Sequence, residues 1–244
     1  MDELRGRNRY ESLQSVLAKC GVELSVENLK RGYEESGFEL QKVWDTQCEV
    51  PIFNQIQLIL RLAAGREINL EHSWNRPLEE AYVNPIFSLP PKLSEEVPFV
   101  LQAVRERGFK IGLISNTGRS PGTAIRQLLA NYGVLKFFDA VVFSNEVMRR
   151  KPDHEIFDRA SEMLGTKSEA IVHIGDNPAA DFWGARNAGM QAVLLDQPHP
   201  ISSTWPSYSL FAITRAHVPA GIAKIEPRWR IHSLTEVLDL LDSL

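Results

Sequence analysis

Five polar side chains flank apolar runs in the second half of this sequence. Ser115 and Asn116 follow Lys110–Ile114, Lys151 precedes Pro152, and Asp176 and Asp181 follow Ile171–Gly175. A hydroxyl, an amide and nearby backbone N–H groups at a strand end can surround an oxyanion, and a helix opening just beyond adds weak positive potential. An ammonium beside a helix N-terminus is poorly placed for the helix itself, so Lys151 asks for an anion nearby. Two carboxylates facing one crevice suit Mg²⁺, which keeps several waters and needs only one or two protein carboxylates. Taken singly, each segment also has a plainer reading: a polar turn, a solvated lysine beside Arg149 and Arg150, and carboxylates complementing a helix N-terminus. His173 alternates with the apolar residues of its run and reads as a core or interface histidine rather than a ligand.

These side chains need elements to hold them. Up to about Phe87 the pattern is helical. Leu13, Val16, Leu17 and Cys20 recur at helical spacing, and Ser25 is placed to N-cap a helix running towards Trp44. Further helices are predicted from Pro51 through Ala64, with Gly65 as a stop, and from Leu70 to Tyr82. Leu89-Pro90-Pro91 ends this bundle, because paired prolines cannot continue a helix. The division predicts a helical cap domain over residues 1–88 and an α/β core over 89–244.

Beyond that point helix and strand alternate as in a parallel sheet. Helices are predicted over Ser94–Arg107, Pro121–Tyr132, Pro152–Leu164 and Pro178–Ala188. Strands are predicted over Lys110–Ile114, Ala140–Ser144, Ala170–Ile174 and Gln191–Leu195. Residues 197–226 interrupt the alternation, and Trp229–Ile231 with Leu234–Leu241 read as closing elements.

Composition excludes several function classes. The net charge is -4, from 27 basic and 31 acidic residues, with no basic stripe, so nucleic acid is not an expected partner. Cys20 and Cys48 are too few for a disulfide scaffold or a zinc site, and two reduced thiols in a cytoplasmic protein are expected. No run approaches the roughly 18 apolar residues of a membrane span, so no membrane partner is expected.

In order and spacing, the three segments resemble motifs two, three and four of the haloacid dehalogenase superfamily. The likeness is carried by Gly112-Leu-Ile-Ser-Asn-Thr-Gly118, Arg150-Lys-Pro-Asp153, Ile156-Phe157, Gly184-Ala185 and Ala188-Gly-Met190, and covers about residues 8–196 and 229–241. It implies a Rossmann-like parallel sheet core with an N-terminal helical cap, and a magnesium-dependent phosphatase of a small phosphorylated metabolite. By that resemblance Ser115, Asn116 and Lys151 bind phosphate. Lys151 also acts catalytically by neutralising the nucleophile and the phosphoryl group, and Asp176 and Asp181 serve Mg²⁺.

The superfamily's first motif is an apolar strand ending in Asp-x-Asp, whose first Asp is the nucleophile, and no Asp-x-Asp occurs in the 244 residues. The first core strand is therefore expected to be missing, as if an N-terminal stretch were absent. Two unpaired strand edges should result unless another segment, such as Leu210-Phe-Ala-Ile213, fills the gap. The chain is expected to be inactive as given, with Mg²⁺ bound weakly or not at all. A pseudoenzyme or phosphate-ligand-binding assembly protein is the alternative, and a 2-haloacid dehalogenase ranks below both.

Overall fold

The structure, a computed structural model, describes residues 2–196 and 230–242. Among them the chain falls into two compact units. One joins the residues up to Lys92 with Thr117–Leu128, and the other joins Leu93–Asn116 with the residues from Leu129 onward.

The first unit is built on helices α1 (Asp2–Lys19), α2 (Val26–Trp44), α3 (Ile52–Ala64), α4 (Asn75–Val83) and α5 (Pro85–Ser88). Ser25 caps α2 as its residue type predicts, its Oγ accepting from Asn28 N at 3.1 Å. Gly65 ends α3 in the left-handed conformation (φ 67°). The expected helix Leu70–Tyr82 is shorter, with α4 preceded by a 3₁₀ turn at His72–Trp74. Pro77 explains the late start, because its ring tolerates only the first helical turn and clashes with a helical carbonyl four residues upstream. Leu13, Leu17, Leu29, Ile56, Ile59 and Tyr82 are buried in one cluster, and each such side chain contributes roughly 1.5–3 kcal/mol of hydrophobic stabilisation.

Thr117–Leu128 belongs with these helices for reasons of hydrogen bonding that no sequence period signals. Arg119 lies 4.0 Å over the Tyr33 ring and donates to Tyr82 Oη, Tyr33 O and Ser36 Oγ, each at 3.0 Å. Arg9 donates to Ser120 Oγ at 2.7 Å, and Gln55 Nε2 to Gly118 O at 3.0 Å. The chain directly after Asn116 is thus tied into the helical unit by part-buried bonds, those from Arg9 and Arg119 being charge-assisted.

The second unit carries the alternation. Its elements are α6 (Glu96–Glu106), β1 (Gly112–Ser115), the end of α7 (Gly122–Asn131), β2 (Ala140–Phe143), α8 (Ser144–Val147), α9 (His154–Leu164), β3 (Val172–Gly175), a π-helix (Pro178–Trp183), α10 (Gly184–Asn187), β4 (Gln191–Leu195), β5 (Arg230–Ile231) and α11 (Glu236–Leu241). The long segment expected to run helical from Pro178 to Ala188 is divided because Phe182 N reaches back five residues to Asn177 O (3.2 Å), a π-type bond. α9 starts at His154 rather than Pro152, because Asp153 serves as its cap and accepts from Glu155 N at 2.9 Å. The Lys151–Pro152 peptide is cis.

All strand pairs are parallel, yet among the described residues they form two sheets, β1-β2 and β3-β4-β5. Ala140, Val142 and Phe143 of β2 and Ala192, Val193 and Leu194 of β4 are buried, whereas no residue of β1 or β3 is. Both sheets contribute to one apolar cluster with Ile156, Phe157 and Ala160 of α9, which also takes in Ile114, Val142, Ala192 and Leu194. A second cluster joins Val100 of α6 and Val237 of α11 to Val193 and Ile231, with Val172 and Ile174 against it. Among the described residues β1 and β3 each pair with a strand on one side only. The expected interruption at 197–226, Trp229 and the apolar run Leu210–Ile213 lie outside the described residues.

Candidate active site

Lys151 is held from three directions at the carboxyl end of β1. The Asn116 side chain grips its backbone at both ends: Asn116 Oδ1 accepts from Lys151 N at 2.7 Å, and Asn116 Nδ2 donates to Lys151 O at 3.0 Å. Lys151 Nζ donates to Ile114 O at 3.0 Å and to Asp181 Oδ1 at 2.5 Å. The ion pair is buried, its side chains 11% and 6% exposed.

Asp181 reaches this ammonium because the segment before it is tightly turned. Asn177 Oδ1 accepts from Ala179 N and Ala180 N at 3.0 and 2.8 Å, and Pro178 occupies the first helical position. The Asp181 carboxylate then folds back, with Oδ2 accepting from Asn177 N at 3.0 Å. It lies so close to β3 that a Cβ built on Gly175 would stand 2.3 Å from Asp181 Cγ. His173 of β3 completes the group, its Nε2 3.2 Å from Asp181 Oδ1 and its ring edge-on to Phe157 with centroids 5.2 Å apart.

The electrostatics follow from this packing. Burial alone would raise the Asp181 pKa. The Lys151 ammonium and the His173 hydrogen bond outweigh it, and the carboxyl is held well below the usual carboxylate range. Burial pushes the His173 pKa down, so the ring is neutral near pH 7 and donates from Nε2 to Asp181.

The structure therefore brings Ser115, Asn116, Lys151 and Asp181 into one neighbourhood, with Asp176 at the end of β3 between Gly175 and the capping Asn177. Asn116 Oδ1 and one Nδ2 hydrogen are engaged with the Lys151 backbone, so Asn116 holds that lysine in place, and the second Nδ2 hydrogen is not used in this contact. Ser115 Oγ takes no hydrogen bond among the described residues and is open to an oxyanion. His173, read from the sequence as a core or interface histidine rather than a ligand, is buried and hydrogen-bonded, and only its Asp181 partner went unsignalled.

With the geometry in hand, likeness to known proteins is decisive at the level of family. Residues 56–195 match the family described as haloacid dehalogenase-like hydrolase. The chain belongs to this family. Among its relatives, the glyceraldehyde 3-phosphate phosphatase of Methanopyrus kandleri is 36% identical over 117 residues, 47% of this chain and 48% of that protein. The pyrimidine 5'-nucleotidase YjjG of Escherichia coli is 34% identical over 54% of this chain and 60% of its own length. The chain thus matches about half the length of these curated relatives. A 2-haloacid dehalogenase from Pseudomonas syringae pv. Tomato DC3000 superposes over 98% of this chain and 91% of its own, with a TM-score of 0.63 at 19% identity, which shows the shared fold. No helix among the described residues is long and apolar enough to cross a membrane.

The neutral His173 carries a pH prediction. Its pKa is lowered on folding, so the unfolded chain takes up a proton first, below the ordinary histidine value of ~6.5. Stability contributed by keeping the ring neutral is full above that value and is lost as pH falls from it towards the lower folded value. Chemical unfolding between pH 7.5 and 5 should show stability falling by up to about 1.4 kcal/mol per pH unit. His173→Gln should flatten that slope. An unchanged slope in His173→Gln would remove His173 as its source.

Proposed function

We propose that this chain is, by lineage, a cytoplasmic phosphomonoester phosphatase of a small phosphorylated metabolite and that it holds the phosphoryl group. The observation that carries this reading is the ammonium of Lys151, held at the end of the strand whose last residue is Ser115 and whose next is Asn116. A phosphoryl oxygen placed there would meet a charged donor and a neutral one, and charge-assisted bonds to phosphate are the strong kind. The glyceraldehyde 3-phosphate phosphatase and the pyrimidine 5'-nucleotidase among the relatives support a phosphate ester as substrate class.

In the reaction this implies, a carboxylate oxygen attacks phosphorus, the ester P–O bond breaks, and the alcohol leaves with a proton. Water then cleaves the aspartyl phosphate to give inorganic phosphate. Lys151 balances the charge on the transferring group. The 244 residues contain no Asp-x-Asp to supply that nucleophile, so the chain as given binds phosphate without turning esters over.

A resident Mg²⁺ would fall to Asp176 and Asp181 by family resemblance. The donor set as it stands does not fit it. Asp181 Oδ1 is taken by Lys151 and His173 and Oδ2 by Asn177 N, and the described residues hold no group of three or more His, Cys, Asp or Glu placed for a metal. Mg²⁺ dehydrates reluctantly and needs near-octahedral oxygen ligands. Phosphate is therefore expected to bind in preference to Mg²⁺, and magnesium dependence belongs to this reading only once further oxygens are supplied.

Titration calorimetry on the folded chain tests the proposal. Inorganic phosphate should bind weakly, and the double variant Lys151→Met/Asp181→Asn, which removes both charges together, should bind at least about tenfold more weakly, a difference of ~1.4 kcal/mol. p-Nitrophenyl phosphate should not be hydrolysed above that variant. Phosphate binding indifferent to Lys151, or tight Mg²⁺ binding without phosphate, would overturn the reading. A non-catalytic phosphate-binding protein is the second reading, favoured by the same missing carboxylate. Hydrolysis at ordinary enzyme rates by the chain alone would remove it.

A further inference from the structure

Arg9 projects from α1 into the helical unit and is only 6% exposed. Its guanidinium lies 5.2 Å from the centroid of the Tyr82 ring, donates from Nη1 to Tyr33 Oη at 3.4 Å and donates from Nη2 to Ser120 Oγ at 2.7 Å. The partners are two hydroxyls and a ring. Burial raises the Tyr82 pKa above its ordinary value, so that phenol supplies no negative charge near pH 7. Arg9 Nε is buried and makes no hydrogen bond, and among the described residues no carboxylate stands within ion-pair distance of the group. A buried N–H left unpaired costs its desolvation, and a buried charge without a counter-charge costs more. The cation–π contact with Tyr82 offsets only part of that cost. Nε and Nη2 form one edge of the planar guanidinium, the edge that takes a carboxylate through two parallel N–H···O bonds. Ser120, bonded at Nη2, precedes Pro121, whose carbonyl accepts from Ala124 N and Ile125 N at 3.0 and 3.1 Å as α7 opens. Positive potential from the start of that helix therefore falls close to Ser120 as well.

We propose that Arg9 and Ser120 form a receptor, inside the helical unit, for the carboxylate of a small molecule. The chemistry of the ligand follows from the donors. A carboxylate has two coplanar oxygens for the parallel N–H groups of the fork and a single charge for the single guanidinium. The Ser120 hydroxyl, which accepts from Nη2, has its own hydrogen to give to the same anion. Inorganic phosphate is tetrahedral and brings a larger negative charge near pH 7, so it leaves charge and lone pairs uncompensated between two aromatic rings. A neutral ligand would leave the guanidinium unbalanced. The walls are held in advance, since Arg119 lies 4.0 Å over the Tyr33 ring and donates to Tyr82 Oη at 3.0 Å. A ligand meeting walls already in place loses less affinity to their ordering. This receptor goes beyond the phosphatase reading, because it uses none of Ser115, Asn116, Lys151 or Asp181 and stands if that reading falls.

Acetate tests this on the full chain, with sodium chloride at matched ionic strength as the control. In ¹H–¹⁵N spectra of the arginine Nε–H groups, the Arg9 signal is assigned through its contact with the Tyr82 ring. That signal should shift saturably with acetate, with a Kd of about 1–10 mM for so small a ligand. Its exchange with water should slow by at least about tenfold at saturation. Ser120→Ala should weaken acetate binding several-fold. Arg9→Lys keeps the charge but lacks the fork, and should weaken it by at least about tenfold. Should Arg9→Lys fail to fold, the natural chain and Ser120→Ala still decide. Lys151→Met/Asp181→Asn should leave the acetate response unchanged. The receptor is overturned if Arg9 Nε–H does not respond to acetate, if chloride shifts it equally, or if it responds to inorganic phosphate and not to acetate. No acetate response with calorimetric phosphate binding intact would sink the receptor and keep the phosphatase reading, and the opposite pair of results would do the reverse.

Discussion

Lys151→Met is expected to lower the unfolding free energy at pH 7 by about 3–5 kcal/mol, the usual cost of stranding one member of a buried ion pair. Asp181 is 6% exposed at its side chain, and among the described residues Lys151 is its only full positive partner. The neutral His173 and the Asn177 amide cannot compensate a buried carboxylate, so Asp181 should then take up a proton at higher pH. The loss should accordingly shrink on acidification. Replacing both charges, as in Lys151→Met/Asp181→Asn, should recover most of it, because a neutral pair of similar shape escapes the desolvation that the ions suffer. Urea unfolding of the three proteins at pH 7 and pH 5 measures this. A single-variant cost under about 1 kcal/mol would mean that the pair is solvated and that Asp181 is not tied to Lys151.

That pairing marks where the sequence stopped being legible. The strands Gly112–Ser115, Ala140–Phe143, Val172–Gly175 and Gln191–Leu195 all lie within or beside expected ranges, because apolar runs bounded by turn residues report burial directly. The lack of an apolar run ending in Asp-x-Asp led to the expectation of unpaired strand edges, and among the described residues β1 and β3 each pair on one side only. The hydrogen bonds themselves were not legible: Asn116 reads as a phosphate donor from its place at a strand end, and no local pattern signals that its amide also holds the N–H and C=O of Lys151. His173 reads as a core or interface histidine and is buried as that implies, while its partner Asp181 was hidden because a period of two records only which face a residue occupies.

The helical half shows the same limit. Leu13, Leu17, Ile56 and Ile59 announce their helices through spacing. The adherence of Thr117–Leu128 to that bundle rests on Arg119, Arg9 and Gln55 meeting oxygens distant in sequence, which no local pattern encodes. Ser115 and Asn116 therefore end one unit and the next residue begins the other.

Gly175→Ala should cost about 1–3 kcal/mol, the range for forcing an extra methyl into a packed site, and should do so entirely through Asp181. Gly175 is not among the glycines with positive φ, so its backbone suits any residue. The obstacle is the carboxylate, since the added Cβ would lie 2.3 Å from Asp181 Cγ and 2.6 Å from Oδ2. Asp181 cannot simply retreat, being fixed by the Asn177 cap and by Asn177 N. The new methyl must therefore push the carboxylate off Lys151 or bend the end of β3. A double-substitution cycle separates this from a general strand effect. In an Asp181→Gly background the clash has no partner, and Gly175→Ala should cost no more than a few tenths of a kcal/mol, leaving a coupling above ~1 kcal/mol between the two sites. Equal costs in both backgrounds would show that Gly175 is required for some reason other than the close approach of Asp181.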